Sequence, residues 1–168
     1  ASMQRVPAAM TGDLLDAVNE YGPLLGSLGI TGEQFFGMLV TASGDGTIAV
    51  DKVGDALKEL TIRGTDMSAT STAAYQAMGL DAQKMASMLL AGGEDGKKAF
   101  DMIVDGLLGI EDPTTRANTA IALFGTPLED LGVSQIPAFL RGLKDGKASL
   151  GDFRGAASDA GRELNDNL

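Results

Sequence analysis

The sequence predicts an all-α fold in which short helices pair into αα-hairpins and the hairpins stack into a compact helical module. Three observations predict it: a segment pattern that recurs along the chain, apolar residues spaced by three and four positions, and capping residues at segment starts. No two β-branched runs flank a hairpin turn, so no strand is predicted. The 23 glycines favour many helix ends over one rod, because an interior glycine costs a helix ~1 kcal/mol relative to alanine.

The recurring pattern is anchored by three Asp-Gly pairs at a spacing of 50 residues: Asp45-Gly46, Asp95-Gly96 and Asp145-Gly146. Asp-Gly is a common turn pair, so each is predicted to reverse the chain between two helices. Upstream of each pair stand a glycine, an aliphatic residue and a helix-capping residue. These triplets are Gly29-Ile30-Thr31, Gly79-Leu80-Asp81 and Gly132-Val133-Ser134. An αα-hairpin leaves an apolar stripe that it cannot bury alone, so the hairpins are expected to stack.

The N-terminal part of the chain differs from the repeated part. We expect an N-terminal helix and linker over residues 1–27, followed by a three-unit helical module over residues 28–168. A helix is predicted around residues 13–21, and residues 22–26, which contain two glycines and a proline, are predicted to form a kink or a loop. Because residue 1 is not Met, we expect the chain to be an internal fragment of a longer protein.

Helix starts can be assigned from capping chemistry. Thr31 and Gln34 form a T-x-x-Q capping box, in which each side chain accepts a hydrogen bond from a free backbone N–H. Asp81 is predicted to cap the first helix of the second unit. After each Asp-Gly pair, apolar residues at helical spacing predict the second helix of the unit. These residues are Val50, Val53, Leu57 and Leu60, then Phe100, Ile103, Leu107 and Ile110, then Leu150, Phe153 and Ala157.

Between the second and third units lies a further helix. Asp112 followed by Pro113 is predicted as an N-cap with proline at the first helical position, and Gly125 is predicted to end that helix. Residues 126–131 are then predicted to form a short turn. The Ser/Thr/Ala-rich residues 65–77 are predicted to be helical, because small side chains permit close helix packing.

The core is predicted to be rich in methionine and poor in aromatic residues, since Trp is absent. Four methionines lie in apolar stretches and are predicted to fill gaps in that core: Met38, Met85, Met88 and Met102. The alternative is an adhesive, methionine-rich surface.

Charge and composition exclude several classes of function. A net charge of −10 disfavours binding to nucleic acid or to an anionic membrane surface, both of which need clustered Lys and Arg. The chain has no Cys and no His, which removes disulfides, thiolate nucleophiles, the commonest transition-metal ligands and any His-dependent triad. No apolar run approaches the ~20 residues that span a bilayer.

One motif resembles the middle of a calcium-binding EF-hand loop, Asp45-Gly46-Thr47-Ile48. If Gly46 holds the sixth position of the loop, Thr41 is first and Lys52 last, where calcium needs carboxylates. The corresponding residues of the other units are Ala91 with Met102 and Arg141 with Asp152. We therefore predict no metal site and interpret the Asp-Gly pairs as turns.

Two further patterns suggest chemistry that the sequence does not complete. Residues 91–98 resemble a phosphate-binding loop, but Ala91 replaces the first glycine and Lys98 the hydroxyl residue that binds magnesium. Carboxylate pairs act as acid and base in glycosidases, and this chain has three adjacent pairs. The pairs are Glu94-Asp95, Glu111-Asp112 and Glu129-Asp130. All fall at predicted turns or helix starts, where carboxylates favour the helix dipole, so we predict no catalytic residue and no cofactor.

Several segments resemble the tail tape measure proteins of tailed phages and prophages. They are residues 99–107, Asp112-Pro113, the stretch ALFGT over residues 122–126 and EDLG over residues 129–132. The resemblance covers residues 28–168 and implies a minor tail protein that lies inside the tail tube, sets tail length and leaves ahead of the genome. It also implies three or six copies, with tail-tube proteins, tail-initiator proteins and assembly chaperones as partners. The implied location is the virion tail, and the host cytoplasm during assembly.

The many glycines and prolines do not fit the single long helix that a length-setting segment would need. A length-setting segment should be extended helix, and 168 residues in one helix would reach ~250 Å. The frequent predicted helix ends favour instead a compact module that becomes extended only when packed in the tube. Two alternatives remain: a scaffold that docks a partner helix in an apolar groove, and, less favoured, a cell-wall hydrolase that uses the acidic pairs.

Overall fold

A computed structural model describes residues 19–35, 37–38 and 50–148 of the chain. All regular structure within these ranges is helical, which confirms the all-α prediction. The helices are α1 (19–27), α2 (32–35 and 37–38), α3 (Val50–Arg63), α4 (Ala69–Ala77), α5 (Ala82–Ala91), α6 (Gly93–Leu108), α7 (Pro113–Phe124), α8 (Thr126–Glu129) and α9 (Ile136–Ala148). The division of the chain at residue 27 stays a prediction.

The ends of α1 and α4, 50 residues apart, have the same backbone geometry. Gly29 and Gly79 both adopt left-handed conformations, with φ of +61° and +72°, which favour glycine. The N–H groups of Ile30 and Leu80 each donate to the carbonyl five residues earlier, at 2.9 Å in both cases. This paired arrangement is a Schellman ending, which satisfies the free carbonyls of the last helical turn. The first two predicted glycine–aliphatic–cap triplets therefore correspond to equivalent chain corners. The third, Gly132-Val133-Ser134, does not, because Gly132 has no left-handed backbone conformation and α9 begins only at Ile136.

The residues that follow these corners begin the next helices. Gln34 donates its backbone N–H to the hydroxyl of Thr31 at 3.1 Å, and the Gln34 side chain accepts the Thr31 N–H at 2.9 Å. The Asp81 carboxylate accepts the N–H three residues later, at 3.1 Å. Asp112 does the same at 2.9 Å, and Pro113 is the first residue of α7. Gly125, with φ of +74°, ends α7. Local capping chemistry thus positions three of the helix starts.

Two of the three predicted Asp-Gly turns are wrong, and the third, Asp45-Gly46, lies outside the described residues. Asp95-Gly96 lies in the first turn of α6, and the chain reverses before it at Gly92 and Gly93, with φ of +71° and +54°. Asp145-Gly146 lies within α9. A glycine in a helix costs only ~1 kcal/mol, and both helices bury several large apolar side chains, each of which contributes ~1.5–3 kcal/mol. The stacked Asp-Gly hairpin arrangement is accordingly not what these two units show.

Two other segments also differ from their predicted structure. Residues 22–26, predicted as a kink or loop, belong to α1, whose Leu25 is buried in the core. The helix predicted over residues 65–77 begins only at Ala69, because Ser68 caps it and accepts the N–H of Ser71 at 3.1 Å. Met67, just before this cap, has φ of +56° and lies in the turn between α3 and α4.

One apolar core contains buried side chains from every helix of the described ranges. Helix α7 packs against α3, α4, α6 and α8, while α6 also packs against α5 and α9. Met38 and Met85 are fully buried and fill the interior as predicted, whereas Met88 is half-buried and Met102 is exposed. The largest buried side chains come from seven different helices: Phe35, Leu57, Tyr75, Met85, Phe100, Phe124 and Phe139.

Candidate functional site

The three acidic pairs lie at the ends of three different helices, and the fold does not bring them together into one cluster. Glu94 and Asp95 are in the first turn of α6, where their charges favour the helix dipole. Glu111 and Asp112 precede α7. Glu129 and Asp130, predicted at a turn, lie at the end of the short helix α8. All six side chains are exposed.

Asp112 and Asp130 are each engaged in a structural contact. The Asp112 carboxylate accepts hydrogen bonds from the Thr115 hydroxyl at 2.6 Å and from the Thr115 N–H at 2.9 Å. These two bonds, in that order, hold the pKa of Asp112 below its usual value. Asp130 accepts from the Lys52 ammonium at 3.2 Å, which joins α8 to α3. A helix cap and a surface ion pair are structural roles that carboxylates commonly have.

The two loop-like motifs are not loops in the part of the chain that the structure describes. The stretch that would form the second EF-hand-like loop, from Ala91 to Met102, is nearly all helix because α6 begins at Gly93. The same stretch contains the phosphate-loop-like residues 91–98, which follow helix α5 and not a strand. Within the described ranges, no group of three or more acidic residues is placed to hold a metal ion. The residues from Thr41 to Ile48 lie outside these ranges.

The corner between α3 and α4 is built from polar contacts that were not predicted from the sequence. The Asp66 carboxylate accepts the Ser68 N–H at 2.9 Å. Burial raises the pKa of Asp66, but hydrogen bonds from Ser68 and Ser71 and the Arg63 charge outweigh it, and the pKa is lowered. The Asp-x-Ser spacing is the local signal for this turn. The corner leaves Met67 half in solvent, at 51% exposure.

A buried tyrosine anchors the same corner from within. The Tyr75 hydroxyl donates to the Gly64 carbonyl at 2.8 Å, beneath the end of α3. Burial, together with the Asp66 charge, raises the pKa of Tyr75. The hydrogen bond from the Tyr75 hydroxyl to the backbone explains why a polar atom is tolerated inside the core.

Three open grooves that are lined by residues of the described ranges each carry charges of both signs. One, of about 390 Å³, lies where α2, α6 and α9 meet and contains Lys97 and Lys144. A second, of about 430 Å³, lies between α3 and α8 and contains the Lys52–Asp130 ion pair. The third, of about 580 Å³, lies between α5 and α6. None of these grooves can be predicted from sequence alone, because each combines residues from separate helices.

No helix in the described part of the chain is long and apolar enough to cross a membrane.

The described part of the chain is therefore an all-α module. Its Asp112 carboxylate caps a helix, and its Asp130 carboxylate forms an ion pair with Lys52. The chain belongs to the family of phage-related minor tail proteins, whose sequence model matches residues 1–125. It is 36% identical over 155 residues to the probable tape measure protein of Streptomyces phage phiC31, across 92% of this chain and 21% of that protein. The chain thus spans about a fifth of that relative's length. No solved structure matches it significantly.

Proposed function

We propose that the chain is a non-catalytic structural module of a phage tail tape measure protein. The similarity to the phiC31 protein across nearly the whole chain carries this proposal. The placement of the acidic pairs supports the non-catalytic part, because Asp112 caps α7 and Asp130 pairs with Lys52. The module acts in the virion tail, with tail-tube and tail-initiator proteins as neighbours and chaperones during assembly in the host cell.

The isolated chain is proposed to be compact. Its longest described helix, α6, has 16 residues and is therefore ~24 Å long. Helices end at four glycines with left-handed backbone conformations, Gly29, Gly79, Gly92 and Gly125. The helices between these glycines share one apolar core. A compact chain of this length has a radius of gyration of ~15 Å. A single 250 Å helix would have ~70 Å, so small-angle X-ray scattering separates the two states, and the rod-like value would contradict compactness.

The tail role is tested in the parent gene. If this segment is extended inside the tube and sets length, an in-frame deletion of its 168 codons shortens the tail by ~250 Å, at ~1.5 Å per residue. Tail lengths are measured by electron microscopy of the mutant particles. Tails of normal length and normal infectivity after the deletion would exclude a length-setting role for the segment.

A substitution of Glu129 in the same particles distinguishes a structural role of this residue from a catalytic one. Glu129→Gln keeps the size of an exposed side chain at the end of α8 and removes its charge. We expect unchanged tail length, unchanged infectivity and no peptidoglycan turnover by either form of the chain. Turnover by the unmodified chain that disappears in Glu129→Gln would favour the cell-wall hydrolase alternative.

The partners follow from the same proposal. Tail-tube and tail-initiator proteins should crosslink to this segment in purified particles, and the parent protein should be present in three or six copies. Quantitative mass spectrometry of particles provides both results. Recovery of crosslinks only to capsid proteins would contradict the assigned location.

A further inference from the structure

Helices α4, α5 and α6 repeat the arrangement of α1, α2 and α3 at an offset of 50 residues. We call these two groups repeat A (α1–α3) and repeat B (α4–α6). Helix α4 ends 50 residues after α1 ends, and α5 begins 50 residues after α2 begins. The N–H of Phe35 donates to the Thr31 carbonyl and that of Met85 to the Asp81 carbonyl, both at 3.0 Å. Fully buried apolar residues of the third helices also recur at this offset, Val53 with Ile103 and Leu57 with Leu107.

The corner of repeat A is covered by the start of α6. This α1–α2 corner, residues 27–30, lies against two glycines, Gly93 and Gly96, which are the first and fourth residues of α6. A Cβ atom on Gly96 would collide with the Ser27 carbonyl, so only glycine allows the helix start to approach so closely. Within the covered corner, Ile30 is only 4% exposed.

The equivalent corner of repeat B is open. This α4–α5 corner, residues 77–80, has a left-handed glycine and backbone hydrogen bonds in the same pattern as the α1–α2 corner. Gly79 is nevertheless exposed, and no residue of the described ranges lies within 4 Å of a Cβ atom added to it. Leu80 is half-buried, whereas its counterpart Ile30 is buried. A surface that is covered in repeat A is therefore uncovered in repeat B.

We propose that a further repeat of the same parent protein covers the α4–α5 corner with a glycine-started helix, as α6 covers the α1–α2 corner. Its helix carries glycine at the first and fourth positions, because side chains there would meet the backbone of the corner. In repeat proteins each repeat contacts only its neighbours, so the last contact surface stays open until another repeat packs on it. The chain covers 21% of the phiC31 relative, and a protein of that length has room for further repeats. The inference rests on the proposed function only in placing the chain within such a protein.

A peptide with the sequence of residues 91–108 serves as a probe for the open corner, because it contains the glycine-started helix α6. It is titrated into the full chain labelled with ¹⁵N, and the amide signals are followed by NMR. We expect shifts at Gly79 and Leu80 with a Kd on the order of 1 mM, since an isolated helix of this length is only marginally stable. Absence of these shifts, or shifts confined to the α1–α2 corner, would overturn the proposal.

The same peptide with Gly96→Ala is the matched control. Alanine favours a helix by ~1 kcal/mol over glycine, so a peptide that bound only because it was helical would bind more tightly after this change. If the peptide instead lies on the α4–α5 corner as α6 lies on the α1–α2 corner, the added methyl group meets the backbone. We then expect binding at least fivefold weaker. Equal or tighter binding of the alanine peptide would contradict the proposed contact.

Photo-crosslinking in the parent protein identifies the occupant. A crosslinking amino acid in place of Ala77, which is exposed at the α4–α5 corner, should link to a part of the same protein outside residues 1–168. Ser87, exposed on α5 and away from the corner in sequence, is the control position and should not give that product. Crosslinks from Ala77 only to other proteins would exclude a further repeat as the occupant. The peptide titration uses the isolated chain, so its failure is distinguishable from a failure of the tail-length test.

Discussion

The carbonyl oxygen of Ser27 lies 2.0 Å from the point where a Cβ atom would stand on Gly96. Ser27 is the last residue of α1 and Gly96 lies in the first turn of α6, so the two helices touch through their backbones. The next corner residue, Gly29, is equally close, since its Cβ would meet the Gly93 carbonyl at 2.3 Å. The α1–α2 corner therefore rests directly on the start of α6, and only glycine permits this.

Gly96→Ala tests this contact. The added methyl group cannot be accommodated by rotating a side chain, because its neighbour is a backbone carbonyl. We expect a loss of roughly 1–3 kcal/mol in the free energy of unfolding, the usual cost of overpacking, measured by urea denaturation. Gly26→Ala is the control: Gly26 belongs to α1 and nothing lies within 4 Å of its added Cβ, so it should gain up to ~1 kcal/mol. Equal effects of the two changes would contradict the backbone contact.

The same glycine shows how far the sequence could predict the structure. Caps such as Thr31 with Gln34, and Asp112 with Pro113, are visible in sequence because all their partners lie within a few residues. The role of Gly96 depends on Ser27, far away in the chain, so its neighbour Asp95 made the pair resemble a turn. The surface grooves were missed for the same reason: each joins helices that are brought together only by the core.

Tyr75 and Tyr21 allow one substitution to be compared in two environments. The Tyr75 hydroxyl is buried and donates to the Gly64 carbonyl at 2.8 Å, whereas the Tyr21 hydroxyl donates to Asp55 at the same distance in solvent. Tyr75→Phe leaves a buried carbonyl without that donor and should cost about 1–2 kcal/mol. Tyr21→Phe should cost less than about 0.5 kcal/mol, because water replaces the lost bond. Urea denaturation of both variants measures the difference, and a larger loss for Tyr21→Phe would contradict the burial-based ranking.

Helix α9 is held by a buried ring and an exposed ion pair, whose contributions can be separated. Phe139 is 1% exposed and meets Phe124 of α7 edge to face, with ring centroids 5.8 Å apart. Lys144 pairs with Asp105 of α6 at 3.0 Å, but both side chains are more than half exposed. Phe139→Ala should therefore lower the free energy of unfolding by ~3–5 kcal/mol.

Lys144→Ala provides the comparison on the same helix. An exposed ion pair contributes ~0–1 kcal/mol and is screened by salt, so the loss should be small and should shrink further in 1 M salt. Thermal unfolding followed by circular dichroism measures both variants under the two salt conditions. If the lysine change proved more costly than the phenylalanine change, α9 would be held by charge and not by its apolar face.

The Asp112 cap predicts a defined response to acid. Hydrogen bonds from Thr115 hold the pKa of Asp112 below its usual value of 3.8 in the folded chain. A carboxyl group whose pKa is lower when folded stabilises the fold above its unfolded pKa, and this stabilisation is lost as the pH falls through the folded pKa. The contribution of the charged cap should therefore be constant from about pH 7 to about pH 5 and should disappear below about pH 4.

Asp112→Asn isolates this effect from the other carboxyl groups, because an asparagine side chain still accepts the Thr115 N–H but does not titrate. The variant should be less stable than the unmodified chain at pH 7, because it lacks the charge of the cap, and this difference should shrink as the pH falls below about 4, as measured by urea midpoints at each pH. Glu111→Gln removes the neighbouring exposed charge and leaves the cap in place, so it serves as the control. A stability difference between Asp112→Asn and the unmodified chain that stays constant from pH 7 to pH 3 would show that the carboxylate does not act through its charge, and that hydrogen-bond acceptance alone begins α7.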